Sequence, residues 1–187
     1  MIVGADAADD RSILTTSAGL YGSYGLRRVY SSAFSPIPDA SRSLPLQAPP
    51  LMREHRLYQA DWLTRFYGFR HDEILPADNG MLSLEFDPKL AWALAHRALF
   101  PVDLNRAPRE MLLRVPGLGV KTVDKLVRAR RVRSIRCRDL AQLRVSLKKV
   151  LPFVELADHT PKREADTPAL SAVLRRVPQQ TDLFADA

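Results

Sequence analysis

The sequence predicts an α+β chain that is mostly helical. It has a partial βαβ unit at the N-terminus, a helical middle, and two short helices joined by a glycine-bearing bend towards the C-terminus. Three observations predict this. Two short β-rich runs, residues 1–5 and 28–34, bracket a helix-length segment. Beyond residue 50 the apolar positions recur every three or four residues instead of alternating. Gly117 and Gly119 then stand one residue apart between two apolar helical faces, and Lys121 follows at once. With 187 residues, 46% of them apolar, the chain can hold one domain or two small ones around a packed core.

Residues 1–46 make the first part. A short apolar strand covers 1–5. A helix falls within 10–26, weakened by Gly19, Gly22 and Gly25, because glycine is a poor helix former. The run Arg28-Val29-Tyr30-Ser31-Ser32-Ala33-Phe34 is the second strand, ended by Ser35-Pro36. Prolines at 36, 38, 45, 49 and 50 mark an extended linker. One βαβ unit does not close a sheet, since parallel strands are ordinarily buried on both faces. These residues therefore read as the end of something longer.

Residues 47–100 make a helical connecting region. Pro50 suits the first turn of a helix running to about residue 67. Tyr58, Trp62 and Phe66 recur every four residues and form an aromatic stripe. Core packing is its expected role, with base stacking the alternative. Asp87-Pro88 is a helix start, a capping carboxylate followed by proline at the first position. That helix is expected to run to residue 98.

Residues 101–156 make the module with the bend. Met111, Leu112 and Val115 share one side of a first helix, and Val120, Val123, Leu126 and Val127 share one side of a second. Between them lies Val115-Pro116-Gly117-Leu118-Gly119. Glycine admits turn conformations barred to other residues and lets a large partner approach. The second helix starts inside the bend, so its unpaired N–H groups face outward at the positive end of the dipole, an arrangement suited to a phosphate oxygen. Lys121 sits in the first turn, where the dipole disfavours a cation. An anionic partner accounts for it; local stability does not.

This stretch resembles the helix-hairpin-helix motif, a sequence-independent DNA-binding element whose core reads hydrophobic-Pro-Gly-hydrophobic-Gly. Asn105-Arg106-Ala107 upstream is similar to the Asn-x-Ala lead-in of such motifs. The resemblance implies phosphate contact from Val115, Pro116, Gly117, Leu118 and Gly119, assisted by Lys121, Lys125 and Arg128. The competing reading is a tight turn used only for packing.

The charge distribution agrees with the first reading. Residues 101–150 hold 14 Lys and Arg against 4 Asp and Glu, while the rest of the chain holds 14 against 17. The net charge of +7 is thus generated in one block beside the bend. A basic block next to a phosphate-binding turn is the footprint of a nucleic-acid module, and its binding depends steeply on salt.

A weaker echo follows. Residues 139–143 suit a short helix, Arg144-Val145 a turn, and Ser146 the cap of another helix carrying Leu147, Val150 and Leu151 inside, with Lys148 and Lys149 in its first turn. This second hairpin lacks the close-approach glycines, and packing is its expected job. From residue 157 to 187 the periodicity fades and a flexible tail is expected.

Composition narrows the chemistry. One cysteine, Cys137, rules out an intrachain disulfide and a cysteine-only metal cluster. His55, His71, His96 and His159 show no ligand spacing, so no metal ligand set is expected. No apolar run approaches the roughly 18 residues of a membrane helix, and a secretory leader pattern is missing. A cytoplasmic setting is the expectation.

Three segments carry a wider resemblance. They are Val29-Tyr30-Ser31-Ser32-Ala33-Phe34-Ser35-Pro36-Ile37-Pro38, then Pro50-Leu51-Met52-Arg53-Glu54-His55-Arg56-Leu57-Tyr58-Gln59-Ala60-Asp61-Trp62-Leu63, then Phe66-Tyr67-Gly68-Phe69. Together they resemble the C-terminal half of the radical SAM proteins of DNA modification or repair, a family linked to a uracil-DNA glycosylase-like partner. The likeness runs over nearly all of 1–156, the hairpin included. It implies that 1–46 closes a radical SAM-type barrel, with Ser35 at a strand end near the parent's substrate cavity or in a loop cap. It also implies a four-iron, four-sulfur cluster and S-adenosylmethionine in a full-length parent. The family holds its cluster through a Cys-x3-Cys-x2-Cys loop, which this sequence lacks. A C-terminal fragment, or the product of a truncated gene, without cofactor or radical chemistry of its own is the expectation, and no catalytic residue is assigned. Near the end, Gln180, Asp182, Leu183 and Phe184 resemble the bacterial sliding-clamp peptide, with Thr181 departing from its usual leucine.

The expected function is sequence-independent DNA binding in a repair setting. The alternatives are a protein-interaction scaffold whose hairpin only packs, and a complete enzyme of unknown chemistry. Lys121 and Asp124 stand too close together to resemble the lysine and downstream aspartate of hairpin-bearing glycosylases.

Overall fold

Each short strand of the first unit pairs only because a helix returns the chain to it. In the computed structural model, which describes residues 1–38, 41, 43–75, 79–161, 170 and 174, β1 (Ile2–Val3) lies parallel to β2 (Ser32–Ala33), with Ile2 opposite Ser32 and Val3 opposite Ala33. Helix α1 (Asp10–Tyr24) makes the crossover. Asp9 caps it, accepting from the Ser12 N–H at 2.8 Å, and Gly25 ends it in a left-handed conformation. Helix α2 (Leu51–Phe66) follows the proline-rich segment. Its Glu54 accepts from the Ala33 N–H at 2.7 Å, and its Tyr58 hydroxyl bridges the Ser31 N–H and C=O. Side chains of α2 thereby occupy the edge of β2 that has no strand neighbour among the described residues. Asp10, fully buried, accepts from Arg53 of α2 at 2.7 Å and from the Leu82 N–H at 2.9 Å.

The buried face of α2 is Leu57, Ala60 and Leu63, with Arg56 and Asp61. Trp62 and Phe66 stay 51% and 48% exposed, and Tyr58 is half-buried. The core role expected for this aromatic stripe is therefore corrected: the core takes a different face of the same helix. Periodicity finds an apolar stripe but does not say which of two stripes meets a neighbour. Helix α3 (His71–Ile74) and helix α4 (Pro88–Ala95) follow, and the chain parts within α4. Phe69 meets Trp92 edge to face at 5.3 Å. Asp87 accepts from the Leu90 N–H at 2.9 Å at the start of α4. The helix stops at Ala95, and a 3-10 turn follows at Arg97–Leu99.

The chain parts into two compact units after Trp92. In the second unit a short parallel strand pair brackets the helices. Strand β3 (Val102–Asp103) runs parallel to β4 (Val154–Glu155), with Val102 opposite Val154. Between them come α5 (Arg109–Arg114), α6 (Val120–Ala129), α7 (Cys137–Gln142) and α8 (Leu147–Val150). Leu104, Leu112, Val123, Leu126, Ile135 and Leu140 are fully buried between these helices. Leu170 and Leu174, within the segment expected as a tail, are helical and buried. Among the described residues no helix is long and apolar enough to cross a membrane.

The described residues are thus mixed α and β, mostly helical, with two small parallel sheets among them.

Candidate nucleic-acid interface

Four residues make the bend. Val115 ends α5, and Leu118 N–H donates back to its carbonyl at 3.2 Å. Pro116 and Gly117 fill the two middle positions, and Gly117 takes φ +81°. Proline second and a left-handed glycine third define a type II turn. Val115, Pro116 and Leu118 turn inward and are buried, so their part is to hold the turn on the core. Gly117 is exposed and Gly119 half-buried.

Gly119 is the N-cap of α6, in extended backbone at φ −88° and ψ 163°, and no side chain caps the helix. The first intrahelical bond there is Val123 N–H to the Gly119 carbonyl at 2.9 Å. The N–H groups of Val120, Lys121 and Thr122 precede that bond and sit at the positive end of a ten-residue helix.

Lys121, Lys125 and Arg128 are spaced four and three residues apart, which puts them on one face of α6, and all are exposed. Val123 and Leu126, on the opposite side, are fully buried. No carboxylate among the described residues forms an ion pair with these three cations. Other members of the basic block are used internally. Arg130 donates to the Ala107 and Leu104 carbonyls at 2.6 and 3.2 Å. Arg133 donates to Asp139 at 2.6 Å, and Arg109 to Asp124 at 2.8 Å.

Sequence reasoning gave Asn105 no more than a lead-in role. Its side chain accepts from the Ile135 N–H at 2.6 Å and donates to the Ile135 carbonyl at 3.3 Å. It thus ties the approach to α5 to the approach to α7. At the latter, Asp139 accepts from the Arg136 N–H at 2.9 Å. Burial alone would raise the Asp139 carboxyl, but these hydrogen bonds and the Arg133 charge outweigh it and hold the pKa below the ordinary 3.8.

The second hairpin joins α7 to α8. Arg144 N–H donates to the Ala141 carbonyl at 2.9 Å and Val145 N–H to the Leu140 carbonyl at 3.0 Å. This pair of bonds is the Schellman cap, whose penultimate position is usually glycine. Here it is Arg144, at φ +56°. The hairpins touch. A methyl built on Gly117 would lie 2.8 Å from Val150 Cγ2 and 3.5 Å from Lys149 Cγ. The missing side chain at Gly117 is therefore needed for the neighbouring helix, whatever else approaches it.

Other candidates fall away from this surface. The Cys137 thiol is pushed up by burial and by Asp158, the reverse of a metal-binding thiolate. No group of three or more potential metal ligands occurs among the described residues. Ser35 is exposed beyond β2. A cleft of about 630 Å³ in the first unit is lined in part by Tyr21, Phe66, Phe69 and Arg65, but Arg65 is held by Asp61 at 2.9 Å. Gln180, Asp182, Leu183 and Phe184 lie outside the described residues. No protein-family model, curated protein or solved structure matches this chain.

Proposed function

We propose that the second unit binds the sugar–phosphate backbone of DNA without reading its sequence. One observation carries this reading. The uncapped start of α6 lies in the same turn as Lys121, and the cations of that face lack a carboxylate partner among the described residues. Backbone N–H groups at a helix start accept a phosphate oxygen, and a row of unpaired cations supplies the nonspecific attraction. Both groups are complementary to phosphate oxygens, which carry no sequence information, so the binding proposed here supplies affinity and not specificity.

On resemblance alone, we also propose a repair setting, with β1, α1 and β2 as the end of a radical SAM-type barrel. The same resemblance suggests a uracil-DNA glycosylase-like protein and the sliding clamp as partners. The side chains here do not fit a four-iron cluster, because the single thiol of Cys137 cannot supply three ligands. No step of chemistry is assigned to the chain.

The test is a duplex titration over a salt series, using wild type and the triple variant Lys121→Gln, Lys125→Gln, Arg128→Gln. The expected wild-type plot of log affinity against log salt is linear. The triple variant should be shallower by about 2–3, near 0.9 per lost phosphate contact. Equal slopes, or wild-type affinity that ignores salt, would leave the hairpin as a packing element and favour the scaffold reading.

A further inference from the structure

We propose that Arg144 is a second phosphate-contacting residue, supplying through its guanidinium what the first hairpin supplies through backbone N–H groups. This rests on the DNA-binding reading above. Counted back from the helix that follows, the left-handed positions of the two hairpins correspond. Gly117 and Arg144 both take left-handed backbone, at φ +81° and +56°. Each precedes a helix cap by two residues, Gly119 before α6 and Ser146 before α8. Where one hairpin has glycine, the other has the longest cation available.

The cap geometry does not explain that choice. A Schellman cap requires only the left-handed conformation, which glycine adopts without the Cβ clash an arginine incurs. Among the described residues Arg144 is the only non-glycine with positive φ. A strained residue is a reason to ask what its side chain does. The side chain is exposed and makes no ion pair with a described carboxylate. The start of α8 is no substitute for it, because a four-residue helix gathers little dipole. Lys148 is exposed one turn on, and the Lys149 stem lies against Gly117. A backbone held at the first hairpin therefore has the second beside it.

The experiment compares Arg144→Gly and Arg144→Gln with wild type by duplex anisotropy over a salt series and by thermal melting. Arg144→Gly removes charge and relieves the backbone. Arg144→Gln removes charge and keeps the strain. Both variants should bind several-fold more weakly at low salt, with a salt slope shallower by about 1. The melting midpoint of Arg144→Gly should hold or rise. Wild-type binding with unchanged affinity and slope in both variants overturns this proposal and leaves the first hairpin standing. A lower midpoint in Arg144→Gly overturns it too, by making the residue structural. If wild type itself binds no duplex, the DNA reading fails and this proposal fails with it.

Discussion

Gly117 and Val150 are so closely opposed that no side chain fits between them. A Cβ on the glycine would stand 2.8 Å from Val150 Cγ2. At φ +81° that Cβ would also strain the backbone. The two hairpins are therefore fitted together through the glycine that a motif reading assigns to the ligand.

Gly117→Ala should accordingly destabilise the second unit, by about 1–3 kcal/mol from overpacking and the left-handed conformation together. Adding Val150→Ala should recover part of the loss, since the new methyl then has room. Denaturant midpoints of the two single variants and the double variant measure the coupling. Strict additivity would show that the two residues do not meet. Because folding itself is at stake, this glycine is a poor probe of DNA contact.

Gly119 is the better probe. Its φ of −88° suits any residue, and as N-cap it contributes no side-chain acceptor. Gly119→Ser should add a hydroxyl that accepts from the N–H of Lys121 or Thr122, gaining a few tenths of a kcal/mol of helix stability. The same hydroxyl competes with a phosphate for those groups. Stability is expected to hold or rise while duplex affinity falls. Unchanged affinity in a folded Gly119→Ser variant would argue that the α6 start does not hold the ligand.

The first hairpin was legible because its determinants are local. Val115-Pro116-Gly117-Leu118 spells a type II turn in four consecutive residues, and the turn is present with its 3.2 Å closing bond. The second hairpin was legible only in outline. Nothing local predicts left-handed backbone at Arg144, because arginine has no preference for it. The aromatic stripe misled for a different reason. Tyr58 is bonded to Ser31, 27 positions away, while Trp62 and Phe66 face outward. Helical spacing finds both stripes of α2, and only the neighbours from β2 and α1 decide between them. Val150, against Gly117, is likewise a partner that spacing cannot supply.

Asp124 interrupts the cationic face of α6, one turn after Lys121 and one turn before Arg128. Its ion pair with Arg109 is partly exposed, at 37% and 41%, so it is worth less than about 1 kcal/mol to stability. Its negative charge opposes an approaching phosphate. Asp124→Asn should cost little stability and tighten duplex binding by a few-fold at low salt, with the gain fading as salt rises. Weaker binding in this variant would mean that the Arg109–Asp124 pair orients the hairpin, and that its charge is secondary.

Asp139 gives the second unit a dependence on acid. Its carboxyl sits at the start of α7, holding the Arg136 N–H and the Arg133 guanidinium, and its pKa lies below 3.8. A carboxylate with a lowered folded pKa binds its proton more readily in the unfolded chain. Its stabilisation is therefore complete above the unfolded value and is lost as pH falls through the folded one. Asp139→Asn should destabilise the unit near neutral pH by about 1–3 kcal/mol, through the lost charge-assisted hydrogen bonds. The gap should begin to narrow below about pH 4, the ordinary carboxylate value, and close only once the pH has fallen through the lower folded pKa, where the wild-type carboxyl is itself protonated. Denaturant midpoints of the two proteins across this range provide the check. A gap that persists undiminished into acid would locate the effect in packing around Asp139, since only the charged form makes the bonds to Arg133 and Arg136 strong.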